Sequence, residues 1–212
     1  MGQLLFLLDF GIFIPICIGL LKWPSLTIEF RIFLIYLIIA AASQLTSYLE
    51  LDFISKILIQ YFSSFIVISL IMRMIVKLLE TNLQRYFTFY TIVLFLIFCL
   101  DYVGQWSKLV KFPFAYIFSN LIFVILSIRY IAKEFALSLF NKEIIARLLI
   151  VIPLATMYIL FDFLQLVYLF LYRDDTKLLM QEAYHLFWVY IVFCYVLYSF
   201  ALLWAPRKET YI

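Results

Sequence analysis

The chain has too little charge for a water-facing surface. Only 14% of its 212 residues are charged, against about a quarter in soluble domains. It also contains one histidine, four glycines, five prolines and three cysteines, and these scarcities exclude several chemistries. A lone histidine, His185, cannot supply the paired axial ligands of a haem held between membrane helices. With so few glycines there is no phosphate-cradling loop, and Gly11 and Gly19 do not form a GxxxG pair. There is no HExxH and no Gly-flanked nucleophilic serine, so both intramembrane-protease readings lack their central motif. Cys17, Cys99 and Cys194 all fall inside apolar runs, where thiols act as small hydrophobes, and their placement suggests neither a disulfide framework nor a metal site. The formal net charge is +3 with no strongly basic arm, so there is no nucleic-acid footprint.

What the chain has in abundance is apolar surface. It is 67% hydrophobic and 21% aromatic, with 24 Phe and 16 Tyr, and its mean hydropathy is +1.10. Lipid is the solvent that suits such a surface. In lipid the backbone must satisfy itself within a helix or a closed barrel. The apolar runs are continuous rather than alternating and each is about 20 residues long, which excludes a barrel. The fold expected is an all-α, polytopic transmembrane bundle of about seven helices, forming a single transmembrane domain over residues 1–212.

The expected spans are 4–22, 30–49, 54–79, 85–104, 112–135, 144–172 and 178–205. Pro24 follows the first span, Pro206 the last, and Pro113 begins the fifth, where a missing N–H costs nothing. No basic segment or small-residue cleavage site precedes Lys22, so the first run reads as a helix rather than a signal peptide. Pro15 and Pro153 lie inside spans, where proline removes a helix hydrogen bond and kinks the chain. The final span carries no lysine, which excludes a retinal Schiff base there. Lys56, Lys108, Lys111, Arg173 and Lys177 fall on one side of the membrane, and the remaining 11 of the 16 Lys and Arg residues on the other. Cytoplasmic loops carry the excess, so the N-terminus is expected outside and the C-terminus inside.

Polar residues in the spans concentrate in the halves expected to face out. Gln60, Ser63 and Ser64 share a helix face by their spacing, as do Asp162 with Gln165 and Glu182 with His185. Asp9, Gln44 and Asn120 occupy the same depth range on their own spans. The opposite halves are mostly Ile, Leu, Phe and Val, apart from Lys and Arg able to snorkel. This pattern suggests an outward-facing pocket, with Asp9, Gln44, Gln60, Asn120, Asp162, Gln165 and His185 as candidate lining. The same pattern also fits interhelical hydrogen bonding, which glues membrane helices together. Asp101 and Glu182 fit an interfacial position, and Asp162 lies deeper. Asp9, Asp162 and His185 could converge as acid, base and polariser, but no catalytic motif accompanies them. No cofactor is implied.

The stretch Ile14-Pro-Ile-Cys-Ile-Gly19, with Leu26 and Phe30-Arg-Ile-Phe-Leu-Ile-Tyr36, resembles the opening of small uncharacterised seven-helix bacterial integral membrane proteins. Ser119 to Tyr130 and Leu202-Leu-Trp204 before Pro206 are similar to later parts of that pattern. Some such proteins are encoded near signalling kinases. The resemblance therefore implies a sensory or accessory role in a bacterial inner membrane, and it carries over no functional residues. In composition alone the chain is also similar to Phe-, Tyr- and Ile-rich subunits of organellar respiratory complexes.

Three functions follow as expectations. The first is a sensory or receptor-like protein with a small-molecule or lipid ligand, working through a membrane or cytoplasmic partner because the tail Arg207–Ile212 is short. The second is a structural or accessory subunit of a larger membrane complex. The third is a small transporter or lipid-modifying enzyme. The third is disfavoured because transporters place charges near the midplane and the polar groups here lie shallower.

Overall fold

The computed structural model describes residues 10–46, 48–49, 53–79, 83–106, 114–137, 141–171 and 177–206. Seven α-helices occupy them: α1 (Phe13–Leu21), α2 (Ile28–Thr46), α3 (Phe53–Leu79), α4 (Leu83–Trp106), α5 (Phe114–Leu137), α6 (Lys142–Leu171) and α7 (Lys177–Trp204). Single 3-10 turns at Phe10–Ile12 and Trp23–Ser25 flank α1. No strand occurs among the described residues. The chain is a multi-pass helical membrane protein, and α2 to α7 each contain a segment long and apolar enough to cross a bilayer. The described part of the first expected span is the shorter apolar stretch Phe10–Leu21. Residues 4–9 of that span, and 112–113 of the fifth, lie outside the described residues.

Short connections make sequence neighbours antiparallel. The odd-numbered helices therefore begin, and the even-numbered ones end, at one end of the bundle, here the upper end. The most extensive contact joins α6 to α7, followed by α2 with α3 and α5 with α6. α1 packs on both α7 and α2, and α3 packs on α5. A ring of α1, α2, α3, α5, α6 and α7 results. α4 stands outside it, against α3 and α5. Its apolar segment is only 17% buried, whereas those of the other long helices are 33–44% buried.

The lower half of the ring is densely packed. Phe30, Phe33 and Leu34 of α2 meet Ile71, Met72 and Ile75 of α3, with Val151 and Leu154 of α6 and Ala201 and Leu202 of α7, all in one buried cluster. Gly19 allows α1 to approach α2 closely here, since a Cβ on it would lie 2.6 Å from a methyl of the fully buried Leu34. At the lower end, Lys22 Nζ donates to the carbonyl oxygens of Leu202, at 3.2 Å, and of Leu203. A cation is thus placed on carbonyls that the last turn of α7 leaves unpaired. Arg31 donates to the Pro24 carbonyl at 3.0 Å and lies over the Trp23 ring, which fixes the α1–α2 turn.

The two in-span prolines behave differently from each other. Pro15 is the third residue of α1, directly after the 3-10 turn. It therefore sits in a first turn, where it costs little, rather than breaking the middle of a helix as the sequence suggested. Pro153 is in the interior of α6, buried, and the helix continues through it. The Tyr190 hydroxyl of α7 donates to the Pro153 carbonyl at 3.5 Å.

Candidate functional site

The upper half of the ring encloses a cavity of about 590 Å³, within the range of small-molecule pockets. Five of the six ring helices, α2, α3, α5, α6 and α7, contribute to its wall together with Ile12 of the 3-10 turn before α1, and α4 does not. Three layers make up the lining. Near the upper end are Ser43, Gln44 and Thr46 of α2 and Gln60, Ser63 and Ser64 of α3. The polar face expected from the 60/63/64 spacing thus lines the cavity. Ser43 and Ser63 share a 2.8 Å hydrogen bond across the α2–α3 boundary. The Tyr116 hydroxyl of α5 reaches the Gln60 carbonyl at 3.4 Å.

The middle layer is apolar, with Val67 and Ile68 of α3, Met157 and Phe161 of α6, and Phe187 and Ile191 of α7. At the bottom lie four tyrosines, Tyr36, Tyr158, Tyr195 and Tyr198. The Tyr36 and Tyr158 hydroxyls are within hydrogen-bonding reach of each other. Phe33 holds the Tyr198 ring edge-on with centroids 5.0 Å apart, and it belongs to the packed seal below. The cavity therefore ends on a floor of phenols and does not run through the bundle.

No Asp, Glu, Lys, Arg or His is among the described residues that line the cavity. Its polar groups are hydroxyls, amides and the Trp188 indole. An ion entering would lose hydration without meeting a countercharge. An uncharged molecule with an apolar body and a few hydrogen-bonding groups would find both chemistries matched.

The sequence-derived candidates divide accordingly. Gln44 and Gln60 line the cavity. Asn120 and Asp162 come together beside it rather than on its wall. Asn120, only 2% exposed, donates from Nδ2 to Asp162 Oδ1 at 2.8 Å, tying α5 to α6. The donor to Asp162 is thus the side-chain amide of a neighbouring helix. Gln165 is half-buried one turn further up α6, away from the lining. His185 is also off the lining, with Nδ1 3.9 Å from Glu182 Oε2 on its own helix. No hydrogen bond or ion pair joins His185 to Asp162. Asp9 lies outside the described residues.

Sequence reasoning passed over the phenols and rings of the lining. Tyrosines at this density read as ordinary membrane-helix composition until the fold places four of them on one floor. It also placed Asp101 at the water interface. That carboxylate is buried, and its Oδ2 accepts from the Ala115 amide of α5 at 3.1 Å. A residue at the end of α4 thereby caps the first turn of α5. In the lower half, Glu134 is buried, and Glu143 pairs with Arg147 within reach of Tyr130. That half is therefore less uniformly apolar than the sequence suggested. Among the described residues, no group of three or more His, Cys, Asp or Glu could hold a metal ion. Cys17 and Cys99 are exposed and Cys194 is buried, all as free thiols. Comparison with protein-family models, with curated proteins and with solved structures found no match.

Proposed function

We propose that this chain is a sensory or receptor-like membrane protein that binds an uncharged small molecule in the upper cavity and works through a membrane or cytoplasmic partner. The observation that supports this reading is a ligand-sized space, polar above and below an apolar middle, closed beneath by dense packing. The closed lower half argues against a through-pore. The Lys and Arg distribution supports placing the lower end in the cytoplasm, with the cavity opening outward. The resemblance to small bacterial seven-helix proteins supports a bacterial inner membrane, with an organellar inner membrane as the alternative.

The test is equilibrium binding to the purified chain in nanodiscs, using uncharged 1-aminoanthracene and anionic 8-anilinonaphthalene-1-sulfonate as fluorescent probes. The reading expects saturable binding of the uncharged probe and none of the anion. It also expects loss of binding in Ala40→Phe, which fills the cavity from a lining position of α2. No saturable binding by the wild-type chain would refute it. A second reading, a structural or accessory subunit, rests on α4. Phe89 and Leu100 on that helix are 70% and 74% exposed, a face that suits either lipid or a neighbouring helix. Failure of probe binding would leave that reading as the better account.

A further inference from the structure

A second space lies against the first. Between α1 and α7, on the outside of the ring, is a groove of about 230 Å³ bounded by Gly11 of the 3-10 turn, Ile14 of α1, and Val192, Val196, Phe200 and Leu203 of α7. It extends over roughly 16 Å of α7 at the usual helical rise. Of its two further lining residues, Tyr195 and Ser199, the serine donates its hydroxyl to the Tyr195 carbonyl at 2.8 Å, so that donor is occupied within the helix. Ile14, Val196, Phe200 and Leu203 are exposed on this face, the face turned to lipid in a membrane-spanning bundle.

Tyr195 belongs to both spaces: it lines the central cavity and the outer groove. On the α1 side, Ile12 faces the cavity and its neighbour Gly11 the groove. The partition between ligand space and bilayer is therefore one residue thick. It is also closely fitted, since a Cβ on Gly11 would stand 3.2 Å from the Tyr195 ring. Glycine lets that ring lie against the backbone of the Phe10–Ile12 turn, so the Tyr195 side chain stands where the two spaces meet.

We infer that the central cavity is loaded from the bilayer, through the α1–α7 groove and past Tyr195, and that its ligand is an uncharged amphiphile that partitions into membrane. This rests on the receptor reading and adds the route and the chemical class. The groove offers no ion a partner, and the cavity beyond it carries no charge. The apolar middle layer takes a hydrocarbon or aromatic body. The hydroxyls and amides above and the phenols below take its polar ends. A ligand of this kind is already concentrated in lipid, roughly fourfold for each methylene it carries, so a lipid-side opening gives it the shorter path.

The route is tested by stopped-flow binding of 1-aminoanthracene to the full chain in phosphatidylcholine nanodiscs, read as energy transfer from tryptophan against empty discs. Val196→Phe and Ser199→Phe fill the groove from outside the cavity. Each is expected to slow association about tenfold while leaving the equilibrium constant nearly unchanged. Leu100→Phe, on the exposed side of α4 and away from both the groove and the cavity, is expected to leave the rate unaltered. The two groove variants approach the same space from different positions, so misfolding of one leaves the other informative. Saturable binding with neither groove variant slowed relative to Leu100→Phe would overturn the bilayer route and leave the pocket standing. Absence of saturable binding in the wild-type chain would remove both.

Discussion

At the scale of single residues, the carboxylate of Asp162 shows how this bundle tolerates polarity. An ionisable group among membrane helices needs a partner or water, and Asp162 has the Asn120 amide at 2.8 Å. The bond crosses from α5 to α6, so it contributes to helix association as well as to solvation of the carboxylate. Interhelical bonds of this kind couple by about 0.5–2 kcal/mol. A double-mutant cycle with Asn120→Leu and Asp162→Leu, read by thermal unfolding in detergent, should therefore show the double variant less destabilised than the sum of the singles. Strict additivity would mean the two side chains do not depend on each other. The sequence made Asp162 conspicuous because carboxylates are rare at that depth, but it could not select Asn120 as the partner. That pairing depends on the α5–α6 packing register, which hydropathy does not encode. The cavity phenols were hidden for the opposite reason: Tyr36, Tyr158, Tyr195 and Tyr198 are chemically ordinary among 16 tyrosines and acquire a role only by convergence.

Among the elements, the helices themselves were legible and their neighbours were not. Hydropathy and the breakers placed the ends of α3 to α7 within about two residues of where they lie, and those of α2 within about three, because lipid forces each apolar run into one helix. Which helices form the ring was beyond sequence reasoning. All the long runs look alike in composition, and only packing separates α4 from the rest. Its attachment to α5 depends in part on Asp101, whose Oδ2 takes the Ala115 N–H at 3.1 Å in the first turn of that helix. Loss of a capping acceptor costs about 1 kcal/mol. Asp101→Ala should therefore lower thermal stability by about that amount, and Asp101→Asn, which keeps an acceptor oxygen, should retain most of it. Equal loss from both substitutions would assign the effect to the carboxylate charge at the helix terminus rather than to the hydrogen bond.

For the whole molecule, two asymmetries run along the same axis. Polar lining and the enclosed cavity belong to the upper half, and dense packing within the ring to the lower. Lys22, Arg31, Arg73, Lys77, Arg129, Lys133, Lys142 and Arg147 all sit toward the lower end, because they fall at the ends of α1, α3 and α5 and the starts of α2 and α6. Charge bias sets membrane orientation, while on the proposed receptor reading the cavity sets the side from which a ligand acts. The two arise from different residues, so a single topology experiment tests how they are joined. A green fluorescent protein fused after Ile212 should fluoresce in a bacterial host, and alkaline phosphatase at the same point should stay inactive. The Gln60→Cys variant, altered on the upper wall of the cavity, should react with a membrane-impermeant maleimide added to intact cells, above the background of the native thiols Cys17, Cys99 and Cys194. An active phosphatase, together with a Gln60→Cys variant no more reactive than that background, would invert the bundle. The cavity would then face the cytoplasm, the helical fold would be untouched, and a receptor for external molecules would be ruled out in favour of one that reads the cell interior.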